Sequence, residues 1–191
     1  FTREIGKAIS QKYSKQVEYK KPNITVVINP YEDKIILQIN PLFIIGRYRK
    51  LVAGISQSKW LCSYCRGKGC QVCGKTGRKY AESVHDFIEK PILKASQGTT
   101  TEFHGGGRED VDVTVIGKGR PFVIEIKNPK KRLFDLKKIS KEIKKSKKVE
   151  ALDLRFAEKD DVRKVKTTES ARKTYQLDIE SEDKITRRDV T

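Results

Sequence analysis

One stretch of the sequence, residues 102–129, places several charged side chains beside a run of glycines. The string Gly-Gly-Gly-Arg-Glu-Asp ends at Asp110, and two segments with strand periodicity follow at 111–115 and 122–126, joined by a Gly-Lys-Gly turn at 117–119. Reactive groups on a loop that a rigid hairpin holds in place are a common arrangement in active sites. The pattern therefore predicts a functional site at this glycine loop.

Two kinds of enzyme chemistry are compatible with these residues. In the first, Asp112 on one strand with Glu125 and Lys127 on the next resembles the D…ExK pattern of Mg²⁺-dependent nucleases, where two acids bind the metal and a lysine assists the attacking water. In the second, Asp110 is a carboxylate that Arg108 keeps ionised and oriented, so that it can act as a nucleophile or base. The residues alone leave both interpretations open.

All four cysteines lie between Trp60 and Tyr80 and form two Cys-x-x-Cys pairs with four residues between them. Two such pairs can surround one metal ion with four thiolates, and a shell filled by sulfur is closed and therefore structural. This spacing favours zinc over disulfides or redox chemistry. The predicted ligands of a structural zinc ion are Cys62, Cys65, Cys70 and Cys73.

The sequence has 42 Lys and Arg against 25 Asp and Glu, a formal net charge of +17. This excess favours a polyanionic partner, because phosphate neutralisation dominates non-specific nucleic-acid binding; a thermophile-like charged surface is the alternative. No stretch approaches the roughly 20 apolar residues of a spanning helix, so we expect no membrane partner. One cluster interleaves basic and aromatic side chains that could contact RNA phosphates and stack on a base. It consists of Arg47, Tyr48, Arg49 and Lys50.

The periodicity of the remaining segments predicts an α+β protein. Ser83 is the predicted N-cap of one helix, and His85 on that helix is expected at the surface. A polar linker is expected at 96–101, and residues 160–165 are too mixed to assign. The predicted helices span 2–17, 83–93 and 133–143, and the predicted strands outside the glycine-loop region span 24–28, 34–39, 149–157 and 173–180.

Three strings that occur in this order resemble the archaeal branch of the Pus-ten family of tRNA pseudouridine synthases. They are PLFIIGRYRKL, WLCSYCRGKGCQVCGKTG and HGGGREDVDVTVIGKGRPFVIEIKNP. The resemblance covers about residues 41–180 and implies three segments. Residues 1–59 would be the C-terminal part of a THUMP-containing RNA-binding domain with a small α/β fold, and 60–80 a four-cysteine zinc-knuckle insert. Residues 81–191 would be the N-terminal part of a mixed-sheet catalytic domain, so we expect a fragment with sequence missing at both ends.

The same resemblance implies roles for individual residues. Asp110 lies in the family's Arg-Glu-Asp-Val-Asp loop and would be the catalytic aspartate, while Arg108 would position it or occupy the space that a flipped base leaves. The family's Lys-x-Tyr strand motif ends at Tyr175, which would stack on the target uracil. Thr114 stands where the family has an arginine. The later basic residue that pairs with the aspartate would lie beyond Thr191, so the fragment alone is expected to be inactive.

The expected function is therefore that of a tRNA pseudouridine synthase, which isomerises uridine at position 54, 55 or both in the T-loop by flipping the base. The expected partner is the T-loop and elbow of tRNA, with structural zinc, no organic cofactor and no obligate protein partner, in the cytoplasm. A non-catalytic zinc-containing RNA-binding module is the main alternative, and the nuclease is the less favoured one.

Overall fold

The computed structural model describes residues 1–167, 174–178 and 180, and within them it has the predicted α+β character. The helices of this part of the chain are α1 (Thr2–Tyr13), α2 (Val84–Ser96), α3 (Leu136–Lys144) and α4 (Lys159–Thr167). The strands are β1 (Ile24–Asn29), β2 (Lys34–Ile39), β3 (Leu42–Lys50), β4 (Thr100–Gly105), β5 (Val115–Lys127) and β6 (Val149–Ala157). Among the described residues, no helix has the length and apolar character needed to cross a membrane.

The strands form two antiparallel sheets. β1 and β2 make a two-stranded hairpin, and the larger sheet has the strand order β4-β5-β3-β6. β3 is therefore a central strand, bonded along its length to β5 on one side and β6 on the other. The segment boundary predicted at residue 59 does not follow this sheet, because β3 lies before the boundary and both of its partners lie after it.

The main core lies between one face of the larger sheet and helices α2 and α3. Ile44 of β3 and Ile124 of β5 are fully buried there against Ile88 of α2 and Ile143 of α3. Burying each of these side chains contributes about 1.5–3 kcal/mol. The opposite face carries a smaller cluster beneath α4, formed by Phe43, Val123 and Val165. The sheet is thus a platform that is packed on both sides.

β5 departs most clearly from the sequence prediction. Residues 111–114 form a turn and bend instead of a strand, and β5 runs on as a bulge through 116–119, where a hairpin reversal was expected. Gly119 has a φ of 70°, and a Cβ built there would lie 2.6 Å from the carbonyl oxygen of Tyr48. Only glycine allows the bulge to approach β3 so closely.

The other predicted boundaries differ less. α1 stops at Tyr13, where Ser14 takes a left-handed conformation, and the segment left unassigned at 160–165 is helical in α4. The linker expected at 96–101 ends in β4. The final strand expected at 173–180 is not formed in its described residues, 174–178 and 180.

The start of α2 shows why His85 is buried. Ser83 caps the helix as predicted, and its capping box with Asp86 places the next turn against β4. There His85 Nε2 lies 2.7 Å from Thr101 Oγ1 and 3.4 Å from a carboxylate oxygen of Glu89, and the residue is only 7% exposed. The expectation of a surface histidine is therefore wrong. Desolvation lowers the pKa of His85 to about 4, although the Glu89 carboxylate opposes this shift.

The buried histidine makes stability depend on pH. Because its folded-state pKa of about 4 is below the ordinary histidine value of 6.5, the unfolded protein binds a proton between these pH values that the folded protein does not. The contribution of His85 to the free energy of unfolding should be fully present above about pH 6.5. It should fall as the pH drops below that value, by up to about 1.4 kcal/mol per pH unit. Urea unfolding at several pH values measures the slope. His85→Gln should reduce it, and an unchanged slope in that variant would contradict this account.

Candidate active site and cysteine cluster

The Arg-Tyr-Arg-Lys segment forms the end of β3, so its side chains alternate between the two faces of the sheet. Tyr48 and Lys50 face the core and are 0% exposed, so the prediction that they contact RNA is wrong. Arg47 and Arg49 lie on the other face and donate hydrogen bonds of 2.6–2.7 Å to backbone carbonyls of the bulge at 117–119. Arg47 and Arg49 therefore hold the bulge of β5, while Tyr48 and Lys50 belong to the core on the other face of the sheet.

Lys50 holds the loop that carries the predicted catalytic aspartate. Its ammonium donates to the backbone carbonyls of Asp110, Val111 and Ile55 at 2.8, 3.2 and 3.1 Å. An ammonium has three N–H donors, so all of them are used. Desolvation lowers the pKa of Lys50, while the negative charge of Glu109 opposes the shift. A buried cation thus fixes the backbone on both sides of the Asp110–Val111 peptide bond.

A second buried group, the Glu109 carboxylate, holds the same loop from its other side. Its Oε2 accepts hydrogen bonds from the Tyr48 hydroxyl at 2.5 Å and the Gln57 amide at 3.2 Å, and lies 3.0 Å from Arg120 Nε. Burial raises the pKa of Tyr48, and the Glu109 charge adds to the shift, so the phenol remains a donor. Gly105 permits the arrangement, because a Cβ there would lie 2.9 Å from the Gln57 amide.

These two anchors leave Asp110 itself exposed. Its neighbour Glu109 is buried, while the Arg108 and Asp110 side chains face a cleft of about 490 Å³. That volume is within the range of ligand pockets, about 300–1,000 Å³. Arg108 and Asp110 form no ion pair with each other; instead, the Arg108 guanidinium lies 3.8 Å from the ring centroid of Trp60. The lining residues are Ser56, Gln57, Trp60, Lys79, Tyr80, Arg108, Glu109, Asp110, Val111 and Asp112.

The nuclease interpretation required Asp112 beside Glu125, and the sheet register separates them. Val115 lies opposite Lys50, whereas Glu125 lies opposite Phe43, seven residues away along β3. At about 3.3 Å per residue this is roughly 23 Å, and Asp112 precedes Val115. The predicted D…ExK arrangement is therefore wrong, because the hairpin that would have closed it is not formed.

Tyr175, predicted to stack on the target base, is 69% exposed and is not among the residues that line the cleft. The preceding lysine of its motif, Lys173, lies outside the described residues. The structure therefore brings Arg108 and Asp110 to one cleft but does not bring Tyr175 to it.

The four cysteines converge as their spacing predicts. Sulfur–sulfur distances are 3.9 Å for Cys62–Cys70, 3.8 Å for Cys65–Cys73 and 3.7 Å for Cys70–Cys73. Four thiolates around a tetrahedral zinc ion at about 2.3 Å would lie about 3.8 Å apart, so the group fits a metal of this size. Backbone N–H groups of Cys70 and Gly77 lower the pKa of Cys73 to about 6, which favours its thiolate form.

The base of this knuckle, defined here as residues 60–80, connects the cysteines to the cleft. The Cys62 amide donates to the Gly77 carbonyl at 2.8 Å, and the Lys79 amide donates to the Trp60 carbonyl at 2.9 Å. Arg78 pairs with Asp86 of α2 at 2.6 Å, which attaches the base to the helix N-terminus. Sequence reasoning did not assign Trp60 and Tyr80 to a site; the single tryptophan, two residues before the first cysteine, was the available signal.

Comparison with known proteins decides which family this architecture represents. The family model described as "Pus10, C-terminal" matches residues 43–191. This chain belongs to the Pus10 family. The matched region begins at Phe43 and so includes all but the first residue of β3, the central strand of the larger sheet.

Curated members of the Pus10 family resemble nearly the whole chain. A protein named tRNA pseudouridine synthase Pus10 from Methanocaldococcus jannaschii is 52% identical over 180 residues, 94% of this chain and 39% of the relative. Proteins of the same name from Archaeoglobus fulgidus and Pyrococcus furiosus are 42% and 38% identical over 98% and 100% of this chain. The chain spans 52% and 44% of those two relatives, so it corresponds to about half or less of each.

Metal analysis tests the cysteine cluster. Purified protein should contain about one zinc ion per chain, because four thiolates in this geometry form a closed site. Replacing Cys62 or Cys73 with serine should remove the metal and destabilise the knuckle, since binding energy of a structural zinc ion is folding energy. A zinc-free protein that remains fully folded would contradict the assignment.

The buried carboxylate gives a prediction with a matched control. Glu109→Gln should lower the unfolding free energy by about 3–5 kcal/mol, because it leaves the charge of Arg120 buried and uncompensated. Glu102→Gln makes the same chemical change at a side chain that is 57% exposed and pairs with Lys127, and should cost less than about 1 kcal/mol. Urea unfolding compares the two, and equal costs would contradict the anchoring role of Glu109.

Proposed function

We propose that this chain supplies the aspartate-bearing part of a tRNA pseudouridine synthase, which acts on uridine at position 54, 55 or both in the T-loop. The observation that carries the proposal is the position of Asp110. Its side chain is exposed in the cleft, while Lys50 and Glu109 fix the backbone around it. The names of the curated relatives, tRNA pseudouridine synthase Pus10, indicate the reaction class.

The chemistry of pseudouridine formation needs a carboxylate of this kind. The bond between ribose C1′ and uracil N1 breaks, and a bond between C1′ and C5 forms. The hydrogen on C5 is replaced by one on N1, so the reaction is an isomerisation without an oxidant, reductant or group donor. Asp110 acts as the nucleophile or base on the sugar–base unit. The uracil rotates inside the cleft before it bonds again through C5.

Access to the target uridine requires base flipping, which costs a few kcal/mol of unstacking. Favourable contacts with the RNA backbone offset this cost. The formal charge of +17 supplies a general attraction, and the knuckle, whose base lines the cleft, carries exposed cations. They are Arg66, Lys68, Lys75 and Lys79. We therefore propose that tRNA lies across the knuckle with the flipped nucleotide at Asp110.

A zinc ion held by Cys62, Cys65, Cys70 and Cys73 has a structural role in this proposal. Four thiolates fill its coordination shell and leave no open position for substrate or water. The ion would therefore supply folding energy to the knuckle, and the proposed reaction has no step that uses it. The cleft chemistry is left to the side chains of the chain itself.

Replacing the aspartate tests the function. In the complete gene product, Asp110→Asn should lower pseudouridine formation in a T-loop substrate by about 10²–10⁴-fold or more, with tRNA affinity nearly unchanged. Asp160→Asn, the same change at an exposed carboxylate in the first turn of α4, should leave activity at the wild-type level. The assay is quantification of pseudouridine in the RNA.

Two outcomes would reject the proposal. Full activity of the Asp110→Asn enzyme would remove the aspartate from its role. A wild-type protein that binds tRNA but forms no pseudouridine would instead show a non-catalytic RNA-binding module.

A further inference from the structure

An aromatic pair at the base of the knuckle forms the cleft wall that carries Arg108. The Trp60 and Tyr80 ring centroids are 5.7 Å apart, and the Lys79 ammonium lies 5.2 Å from the first and 5.4 Å from the second. On the indole, the Arg108 guanidinium carbon lies 3.8 Å from the ring centroid. Two cations thus share one aromatic surface beside Asp110.

The position of this surface is determined by contacts outside the cleft. The Trp60 carbonyl accepts a hydrogen bond from the Lys79 amide, and the neighbouring Leu61 forms a β-bridge with Arg78. Arg78 is in turn paired with Asp86 at the N-terminus of α2. Because α2 packs on the sheet that carries the Asp110 loop, the indole and the aspartate are held by one framework.

Stacking leaves the hydrogen-bonding capacity of Arg108 free. A guanidinium that lies over an indole uses its planar face, and its N–H donors point outward along its edge. In the described part of the chain, no carboxylate forms an ion pair with Arg108, and the residue is exposed. The arginine is therefore an oriented, uncompensated cation two residues before Asp110. Planar N–H edges of this kind suit phosphate oxygens, which they can bind through two donors at once.

We propose that Trp60 is a positioning residue that holds Arg108 for the phosphodiester beside the flipped nucleotide. The proposal rests on the RNA-modifying function proposed above and assigns the knuckle a part in substrate recognition. Trp60 acts through Arg108, and its own contact with RNA is not required. Removing the indole would leave Arg108 free among many rotamers, so the phosphate contact would be made at an entropic cost.

A double-mutant cycle in the complete gene product tests this dependence. Arg108→Ala should raise KM and Kd for a T-stem-loop RNA by about tenfold or more, as expected for the loss of a charged hydrogen bond. Trp60→Ala should raise them by about three- to tenfold, the scale of a cation–π contact. The double variant should bind no worse than Arg108→Ala alone. Trp60→Phe should recover most of the affinity, because it keeps an aromatic face.

Matched controls separate positioning from folding. Tyr64→Ala removes an exposed aromatic side chain from the same knuckle, away from the cleft lining, so any effect on Kd should be independent of Arg108 and should multiply with that of Arg108→Ala. Zinc content and thermal stability of Trp60→Ala should equal those of Tyr64→Ala. The difference in emission between wild-type and Trp60→Phe protein isolates the fluorescence of Trp60, and Arg108→Ala should change it.

The possible failures are distinguishable. Multiplicative losses in the double variant, or an unchanged Kd in Trp60→Ala, would overturn the positioning role even if the wild-type enzyme forms pseudouridine. Loss of zinc from Trp60→Ala alone would overturn it as well, since the effect would then be one of folding. Absence of pseudouridine from the wild-type reaction would reject the proposed function, and the Kd cycle would still decide whether Trp60 acts through Arg108.

Discussion

The arrangement of the candidate site depends on the buried charges that meet where β3 ends. Lys50 and Glu109 are both removed from water, and each compensates for this with several contacts: backbone carbonyls for the ammonium, and a phenol, an amide and a guanidinium for the carboxylate. Leaving either group unpaired would cost several kcal/mol. The loop that contains Glu109 and Asp110 is therefore held in the position where both buried charges keep their partners, and in that position Asp110 is exposed.

The same constraint explains how one short loop can be rigid and still expose a carboxylate. Consecutive residues of the Arg-Glu-Asp string have opposite environments: Glu109 is buried in the network, while Arg108 and Asp110 face the cleft. In the reaction proposed above, a carboxylate that is already ordered is favoured, because ordering it during the reaction would raise the barrier. The buried glutamate orders its neighbour in advance.

The cysteine knuckle is part of the candidate site and is not a remote structural insert. Its first and last residues contribute an indole, an ammonium and a phenol ring to the cleft, and its base is attached to α2 through Arg78 and Asp86. Sheet, helix and knuckle thus meet around one aspartate. Each supplies a different property: backbone order, a fixed frame and an aromatic wall with positive charge.

The sequence by itself determined what depends on local spacing. Two Cys-x-x-Cys pairs, the Ser83 cap and the strands β1 and β2 need only neighbouring residues, and each is formed as predicted. Tertiary structure decided the rest. Whether Tyr48 and Lys50 faced RNA or the core depended on β3 becoming a central strand, and the separation of Asp112 from Glu125 depended on a register with distant residues. Spacing along the chain contains no information on such partners, because strand pairing and burial are settled only when segments far apart in sequence pack together.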